Sequence, residues 1–274
     1  MSKEQRQDRA SNRRRAVGAS GERAFALGKP VPLPPHPEGL GPRLWPVLAV
    51  VGTVVLSAWS LPAAFLVMGV ILAYAIATRN DRRNTLLWAY IQGRRQFMQG
   101  DYEAALTNFQ DMEDADFAPP AVLRGIGLCS YELGRWAEAA TYLEDVPDRT
   151  PEENTALGHA LLELGEIRAA AEVLDGLDEP PPLARVVRAV AALKLGDPAG
   201  AVRRLRAVLE EAGGEAAPAE EPYLGARYWL GLAARQAGDE ATAVGVLEEL
   251  YRLDPGYHDV AALVEGAGRR SPES

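Results

Sequence analysis

Five segments of the chain follow one pattern after residue 84, and this repeat limits the possible folds more than any other feature. Each segment has a stretch of helix-forming residues, then a glycine, then a second such stretch in which an alanine precedes a large apolar residue by four positions. The glycines lie 34, 31, 31 and 42 residues apart, at Gly100, Gly134, Gly165, Gly196 and Gly238. A period of about 20 to 50 residues is typical of arrays that stack one supersecondary unit many times.

Each position of the pattern has a physical reason. Glycine adopts the left-handed conformation that ends a helix, and an aspartate directly after it can cap the next helix. Asp101, Asp197 and Asp239 are placed to do so. Residues four apart lie on one face of a helix, so the alanine lets a neighbouring helix approach and the large residue packs against it. The two sets are Ala105, Ala139, Ala170, Ala201 and Ala243, and Phe109, Leu143, Leu174, Leu205 and Leu247.

The first helix of three units contains a similar pair of an apolar and a small residue, at Ile126-Gly127, Leu157-Gly158 and Leu230-Gly231. With these pairs, residues 85–257 resemble the tetratricopeptide repeat (TPR), a helix-turn-helix unit of about 34 residues. The resemblance implies an all-α fold, a TPR-like α-solenoid of about five helix-turn-helix units. We expect residues 258–274 to form a capping helix and a frayed tail, because the end unit of such an array exposes an apolar face.

Two parts of the repeat region depart from the TPR pattern. Ala189 replaces the small glycine in the first helix of the fourth unit. Residues 210–221 form an acidic, alanine-rich insertion, which we predict to be a loop.

The run from Leu44 to Ala77 contains 34 residues without a charge and is the second constraint on the chain. About 20 apolar residues are enough for a membrane-spanning helix, whereas a cleaved signal peptide has an apolar core of about 7–15 residues. The sequence therefore predicts a permanent transmembrane segment over residues 44–78, with the lipid bilayer contacted through residues 44–77.

The middle of this run predicts a turn. A single helix of this length would reach about 51 Å, against a hydrocarbon core of about 30 Å. Pro62 disfavours helix at the residue before it, and Ser60 can cap a helix that follows. We therefore predict a transmembrane helical hairpin with helices at about residues 45–58 and 62–77.

Positive charges flank the run on both sides, at Arg43, Arg79, Arg82 and Arg83. Positively charged residues that flank a membrane segment favour the cytoplasmic side, so a hairpin with both ends in the cytoplasm places both flanks on the favoured side. A single tilted or kinked span must place one flank, and with it the repeat domain, outside. That topology, and a re-entrant or buried segment, are the alternatives.

Residues 1–43 are rich in Arg, Pro and Gly without apolar periodicity, which predicts a disordered basic tail. Residues 1–83 carry 12 Lys and Arg against 5 Asp and Glu, whereas residues 84–274 carry 17 against 33. The basic part suits an anionic membrane surface, and the acidic part argues against a nucleic-acid partner. Arginine far outnumbers lysine, and Ala, Gly and Pro are abundant, as is typical of a GC-rich bacterial genome.

We find no motif for catalysis, metal binding or cofactor binding. The histidines His36, His159 and His258 lie far apart and lack metal-ligand spacing. The lone Cys129 falls inside a predicted first helix, which favours a buried structural thiol over a nucleophile. Gly125-Ile126-Gly127 lacks the preceding strand and the third glycine of a dinucleotide site. We therefore expect no enzyme activity and no cofactor.

The resemblance to TPR proteins implies a groove that is lined by the first helix of each unit and binds a peptide, a partner helix or a chain terminus. Aromatic and arginine side chains are frequent anchors at protein interfaces. Alignment of the units places eight candidates on this face, which are Tyr90, Arg94, Arg124, Leu128, Tyr131, His159, Tyr228 and Arg235.

The sequence thus predicts a non-enzymatic, membrane-anchored protein–protein interaction adaptor or scaffold of a bacterial inner (plasma) membrane, with its repeat domain in the cytoplasm. A second hypothesis is a single-span envelope assembly factor with the repeat domain outside the cytoplasm. A third hypothesis, in which the array regulates or houses an enzyme, has no supporting residues.

Overall fold

The structure is a computed structural model that describes residues 2–17, 31–37, 82–214 and 217–268. The described chain divides into two compact units, one of residues 32–129 and the other of residues 1–31 and 130–274. The helices predicted at about residues 45–58 and 62–77 lie outside the described residues. Among the residues that are described, no helix is both long and apolar enough to cross a membrane.

The described residues form twelve α-helices and no strand. In chain order these are α1 (Lys3–Val17), α2 (Arg82–Met98), α3 (Tyr102–Asp114), α4 (Pro120–Glu132), α5 (Trp136–Glu144), α6 (Pro151–Glu163), α7 (Ile167–Asp175), α8 (Pro182–Lys194), α9 (Pro198–Glu211), α10 (Tyr223–Gln236), α11 (Glu240–Leu253) and α12 (Val260–Gly268). Helices α2 to α11 form five helix-turn-helix pairs, which confirms the all-α repeat predicted from the sequence.

The turns inside the pairs have the predicted chemistry. The five repeat glycines have φ angles between 70° and 92°, the left-handed region that glycine tolerates best. Three of the following residues cap the next helix, with Asp101 accepting from the Ala104 amide at 3.3 Å and Asp239 from the Thr242 amide at 3.1 Å. The Asp197 carboxylate accepts from the Gly200 amide at 2.8 Å.

The two helices of a pair approach closely where a glycine faces a large side chain. A Cβ atom built on Gly158 would lie 2.7 Å from Leu174 Cγ, and one built on Gly231 would lie 2.5 Å from Leu247 Cγ. Both leucines are fully buried. The same contact in the first pair places a Cβ on Gly93 3.0 Å from the Phe109 ring. The first-helix glycine is therefore a packing requirement in these pairs.

In the unit that contains residues 130–274, successive pairs stack through alternating contacts. The second helix of one pair packs against the first helix of the next, as α5 does on α6, α7 on α8 and α9 on α10. The first helices α6, α8 and α10 also contact in order, so they share one face. Helix α12 covers α11 at the end of the stack. Its Val260 is buried with Leu224, Leu247 and Leu250, which shields the apolar face of the last pair.

Two described parts of the N-terminal tail depart from the predicted disorder. Residues 3–17 form helix α1, and reciprocal hydrogen bonds between Ser2 and Gln5 make a capping box at its start. The backbone N–H of Gln5 donates to Ser2 Oγ at 3.3 Å, and the backbone N–H of Ser2 donates to Gln5 Oε1 at 3.1 Å. Residues 31–37 form neither helix nor strand and bend at residues 35 and 36, and three of them, Val31, Leu33 and Pro37, are buried. Low hydrophobicity predicts disorder only when no other surface packs against the segment, and both parts have such a surface.

Arg227 is a fully buried charge that ties the acidic insertion to the last pair. Its guanidinium donates to Glu249 Oε1 at 2.8 Å and to the Ala217 carbonyl at 3.0 Å. It also lines a cleft of about 700 Å³ between α9 and α11. A buried charge is stable only when paired and hydrogen-bonded, and Arg227 meets both conditions.

We expect Gly231→Ala to lower the free energy of unfolding by about 1–3 kcal/mol, because the new methyl group overlaps the buried Leu247 side chain. Gly245 is the matched control, since it lies in α11 and a Cβ atom built on it would face open space. Gly245→Ala should raise the free energy of unfolding by about 1 kcal/mol through helix propensity. Urea denaturation of both variants measures the difference, and equal shifts of one sign would contradict the packing argument.

Candidate functional site

All eight candidate residues lie on the first helices of their pairs. Helix α2 carries Tyr90 and Arg94, α4 carries Arg124, Leu128 and Tyr131, α6 carries His159, and α10 carries Tyr228 and Arg235. Their surroundings differ, and these surroundings separate residues that touch another chain segment from residues that support the helices.

Tyr90 and Arg94 hold a proline-rich segment of the same chain. The Tyr90 hydroxyl donates to the Pro34 carbonyl at 2.7 Å, and the Arg94 Nε donates to the Leu33 carbonyl at 3.0 Å. Leu33 is buried, and the Tyr90 ring lies 5.8 Å from the Phe109 ring, which fixes its position. All these residues belong to the unit of residues 32–129. We call Tyr90 and Arg94 the α2 clamp.

The α2 clamp binds main-chain atoms, so it depends on the shape of its ligand more than on side-chain identity. The segment reads VPLPPHP over residues 31–37, and four of its seven residues are proline. Proline-rich chains are extended and form no internal hydrogen bonds, which leaves their carbonyl groups free to accept from a partner. Tyrosine and arginine donors facing two successive carbonyls satisfy that chemistry.

Tyr131 and His159 contact each other in the unit of residues 130–274. The Tyr131 hydroxyl and His159 Nδ1 share a hydrogen bond of 2.7 Å, and both side chains are buried. The Trp136 ring lies 5.5 Å from Tyr131 and 5.3 Å from His159. The His159 Nε2 also lies 3.5 Å from Glu163 Oε1. This cluster stabilises the contact between the pairs, and its buried side chains are not positioned to reach a partner.

The remaining candidates have other neighbours. Arg124 is half-buried and Leu128 is fully buried in α4. Tyr228 donates to Asp259 Oδ1 at 2.8 Å, and burial together with this bond raises the pKa of the Tyr228 hydroxyl. Arg235 donates to the Leu263 carbonyl at 3.4 Å. The last pair therefore uses its first-helix face to hold helix α12 and the residue before it.

Residues 31–37 lie inside the segment that the sequence predicts to be a disordered tail, so this prediction does not assign them to a site. Their signal is visible in the sequence, since Val31 and Leu33 are apolar residues set among prolines. Cys129 is buried, as its position in a first helix predicts. Within the described ranges, no group of three or more His, Cys, Asp or Glu side chains converges as a metal site.

Comparisons with known proteins agree with the helix-pair architecture. A family model described as tetratricopeptide repeat matches residues 90–154, 155–216 and 186–258. The crystal structure of YrrB, a TPR protein with an unusual peptide-binding site, superposes with a TM-score of 0.53 at 17% identity, over 71% of this chain and 98% of YrrB. A crystal structure of MamA gives a TM-score of 0.50 at 18% identity, over 62% of this chain and 92% of MamA. No curated protein sequence matches the chain.

Five helix pairs with glycine turns and small-to-large packing define the chain as a helical repeat protein. Because the family model matches more than half of the chain, the protein belongs to the tetratricopeptide repeat family.

We expect Tyr131→Phe to lower the free energy of unfolding by about 1 kcal/mol, because it removes the hydrogen bond to buried His159. The change should leave binding at the α2 clamp unaltered, since the ring and its packing remain. Tyr251→Phe is the control, because Tyr251 is exposed and its hydroxyl should contribute little. Thermal denaturation compares the two variants, and equal stability of both would show that the buried hydrogen bond makes no net contribution to the free energy of unfolding.

Proposed function

We propose that this protein is a non-enzymatic, membrane-anchored adaptor whose TPR array binds an extended segment of a protein partner, on the cytoplasmic side of a bacterial inner membrane. The α2 clamp is the observation that carries the proposal. It holds a proline-rich segment by two successive carbonyl groups, at 2.7 Å and 3.0 Å, on the first helix of a pair. A face that binds one such segment by its main chain offers the same donors to another.

The occupied clamp also defines how a partner would bind. Leu33 and Pro34 fill the clamp in this chain, so a partner segment must displace them. The intramolecular segment has a high effective concentration, which lowers the apparent affinity for a competing segment. A partner that is itself held at the membrane overcomes this effect, because its own effective concentration is raised.

The membrane anchor is supported by the uncharged run of residues 44–77, which ends five residues before α2 begins. A run of 34 residues without a charge is longer than one span requires. The hairpin is supported by arginines on both flanks and by Pro62 near the centre. The bacterial assignment rests on the preference for arginine over lysine.

YrrB, which is similar in fold, is a TPR protein with an unusual peptide-binding site. That description supports peptide binding as a use of this architecture. The particular clamp proposed for this chain rests on its own residues, Tyr90 and Arg94, because fold similarity alone does not transfer a function.

We expect a labelled peptide of residues 30–38 to bind full-length protein in which residues 32–35 are replaced by Gly-Ser-Gly-Ser. The replacement removes the buried Leu33 side chain and the prolines that restrict the backbone, so the tethered segment no longer competes well for the clamp. Adding Tyr90→Phe and Arg94→Gln should weaken binding by about tenfold or more, since one neutral and one charged hydrogen bond are removed. Fluorescence anisotropy in an uncharged detergent measures both affinities.

The matched control is Tyr251→Phe with Arg203→Gln in the same replaced background, because both side chains are exposed on second helices. This control should bind the peptide as tightly as the parent. Absence of binding to the chain with the replaced segment, or equal binding by the clamp variant and the control, would refute the peptide-binding proposal.

We expect a reporter that is active only in the cytoplasm to be active when fused after Ser274, and a reporter active only outside to be silent there. The hairpin returns the chain to the side on which it began, so both flanks carry their arginines in the cytoplasm. Activity of the external reporter alone would instead support a single span and an envelope assembly factor. That result would leave the peptide-binding test unaffected, since the clamp is assayed separately.

A further inference from the structure

Helix α1 is docked on the repeat array through its arginines. The Arg13 guanidinium donates to both carboxylate oxygens of Glu144, at 2.7 Å and 3.1 Å, and to Glu166 Oε1 at 2.9 Å. Arg6 donates to Asp145 Oδ2 at 3.1 Å, and Arg9 reaches Glu144 at the same distance. All of these residues belong to the unit of residues 1–31 and 130–274.

The Arg6 contact is shielded from water. Its side chain is 6% exposed and that of its partner Asp145 is 16% exposed. The Arg6 guanidinium also lies 5.6 Å from the centre of the Tyr142 ring, within range of a cation–π contact. Shielded, charge-assisted pairs of this kind are stronger and more specific than surface ion pairs.

The receiving surface is built from two helix ends. Glu144 is the last residue of α5, Asp145 is its C-cap, and Glu166 is the N-cap residue of α7. The C-terminal end of a helix carries a partial negative charge, which adds to the charge of the two α5 carboxylates. At the α5 end, cationic side chains are therefore favoured by the main chain as well as by the two carboxylates, whereas at the N-terminus of α7 the attraction comes from the Glu166 carboxylate alone. We call Tyr142, Glu144, Asp145 and Glu166 the acidic docking site.

The spacing of contacts along α1 matches one helical face. Arg6, Ala10 and Arg13 lie four and three residues apart, so they face the same side of the helix. Ala10 is buried between the two arginines, where a larger side chain would hold α1 away from α5. The acidic docking site therefore selects a helix with two arginines seven residues apart and a small residue between them.

We propose that the acidic docking site is a receptor site for an arginine-bearing helix, and that α1 is its ligand within the same chain, bound reversibly. The inference does not rest on peptide binding at the α2 clamp, because it uses different residues in the other unit. While α1 is docked, Arg6 and Arg13 are engaged by carboxylates, so the basic tail is held by the array. A net positive tail and a net negative repeat domain thereby become partners.

The helical hydrogen bonds of α1 report whether α1 is docked. An isolated helix of about 15 residues is marginal in water, so α1 should keep its helical hydrogen bonds only while it is docked. Amide hydrogen exchange of residues 3–17 in the full-length protein, in an uncharged detergent, therefore reports occupancy of the acidic docking site.

We expect Arg6→Glu and Asp145→Arg to abolish the protection of the α1 amides when made singly, because each places like charges together in a shielded contact. Combining the two changes restores an opposite-charge pair with reversed polarity, and protection should return. Arg203→Glu is the control for net charge, since Arg203 is exposed on α9, and it should leave protection unchanged.

A labelled peptide of residues 2–17 then tests whether the site accepts a ligand in trans. It should bind the Arg6→Glu chain, in which α1 no longer occupies the acidic docking site. It should bind the Asp145→Arg chain about 30-fold more weakly, as expected for loss of one partner of a shielded charge pair. The Arg6→Glu version of the peptide should show the opposite preference.

If the wild-type peptide prefers the Arg6→Glu chain and the Arg6→Glu peptide prefers the Asp145→Arg chain, the receptor site recognises the charge at position 6. Unchanged α1 protection in Arg6→Glu, or failure of the double variant to recover it, would overturn the proposal. Equal binding of the wild-type peptide to the Arg6→Glu and Asp145→Arg chains would also overturn it, because the contact would then be nonspecific.

Discussion

The close approach of a first-helix glycine to a large buried side chain sets the distance between the helices in three pairs, α2–α3, α6–α7 and α10–α11. A methyl group on Gly158 or Gly231 would overlap Leu174 or Leu247, so only glycine allows these helix pairs to pack as they do. The packed pairs then stack through α5 on α6, α7 on α8 and α9 on α10, which places α6, α8 and α10 on one face. The acidic docking site follows from this arrangement, because the stacking of α5, α6 and α7 positions the helix ends that carry its carboxylates.

The tail uses surfaces that this packing leaves open. Arginines of α1 bind carboxylates at the ends of α5 and α7, while the carbonyl groups of Pro34 and Leu33 accept hydrogen bonds from Tyr90 and Arg94. The two contacts use different chemistry, since the first depends on the charge of the side chains and the second on the main-chain conformation of the bound segment. In both, a segment with too few apolar residues to fold alone gains order from a surface that another part of the chain supplies.

The sequence predicted the repeat well because its signals are local. A glycine with positive φ, an aspartate that caps the next helix and an alanine four residues before a leucine are all visible within one unit. The candidate face was predicted only in outline. Tyr90 and Arg94 contact a proline-rich segment, but Tyr131 and His159 form a buried pair, and Tyr228 binds Asp259. Periodicity places a residue on a helix face, yet it does not tell whether another element already covers that position.

The sequence by itself determined the helix pairs, their turns, the long uncharged run and the opposite net charges of tail and repeat domain. These properties depend on neighbouring residues, so they can be read without a partner in space. Only the tertiary structure decided that Arg6 meets Asp145 across 139 residues and that Tyr90 meets Pro34 across 56. Such contacts depend on where packing brings distant segments, because charge and hydrogen-bond complementarity act between surfaces that exist only after the helices have stacked.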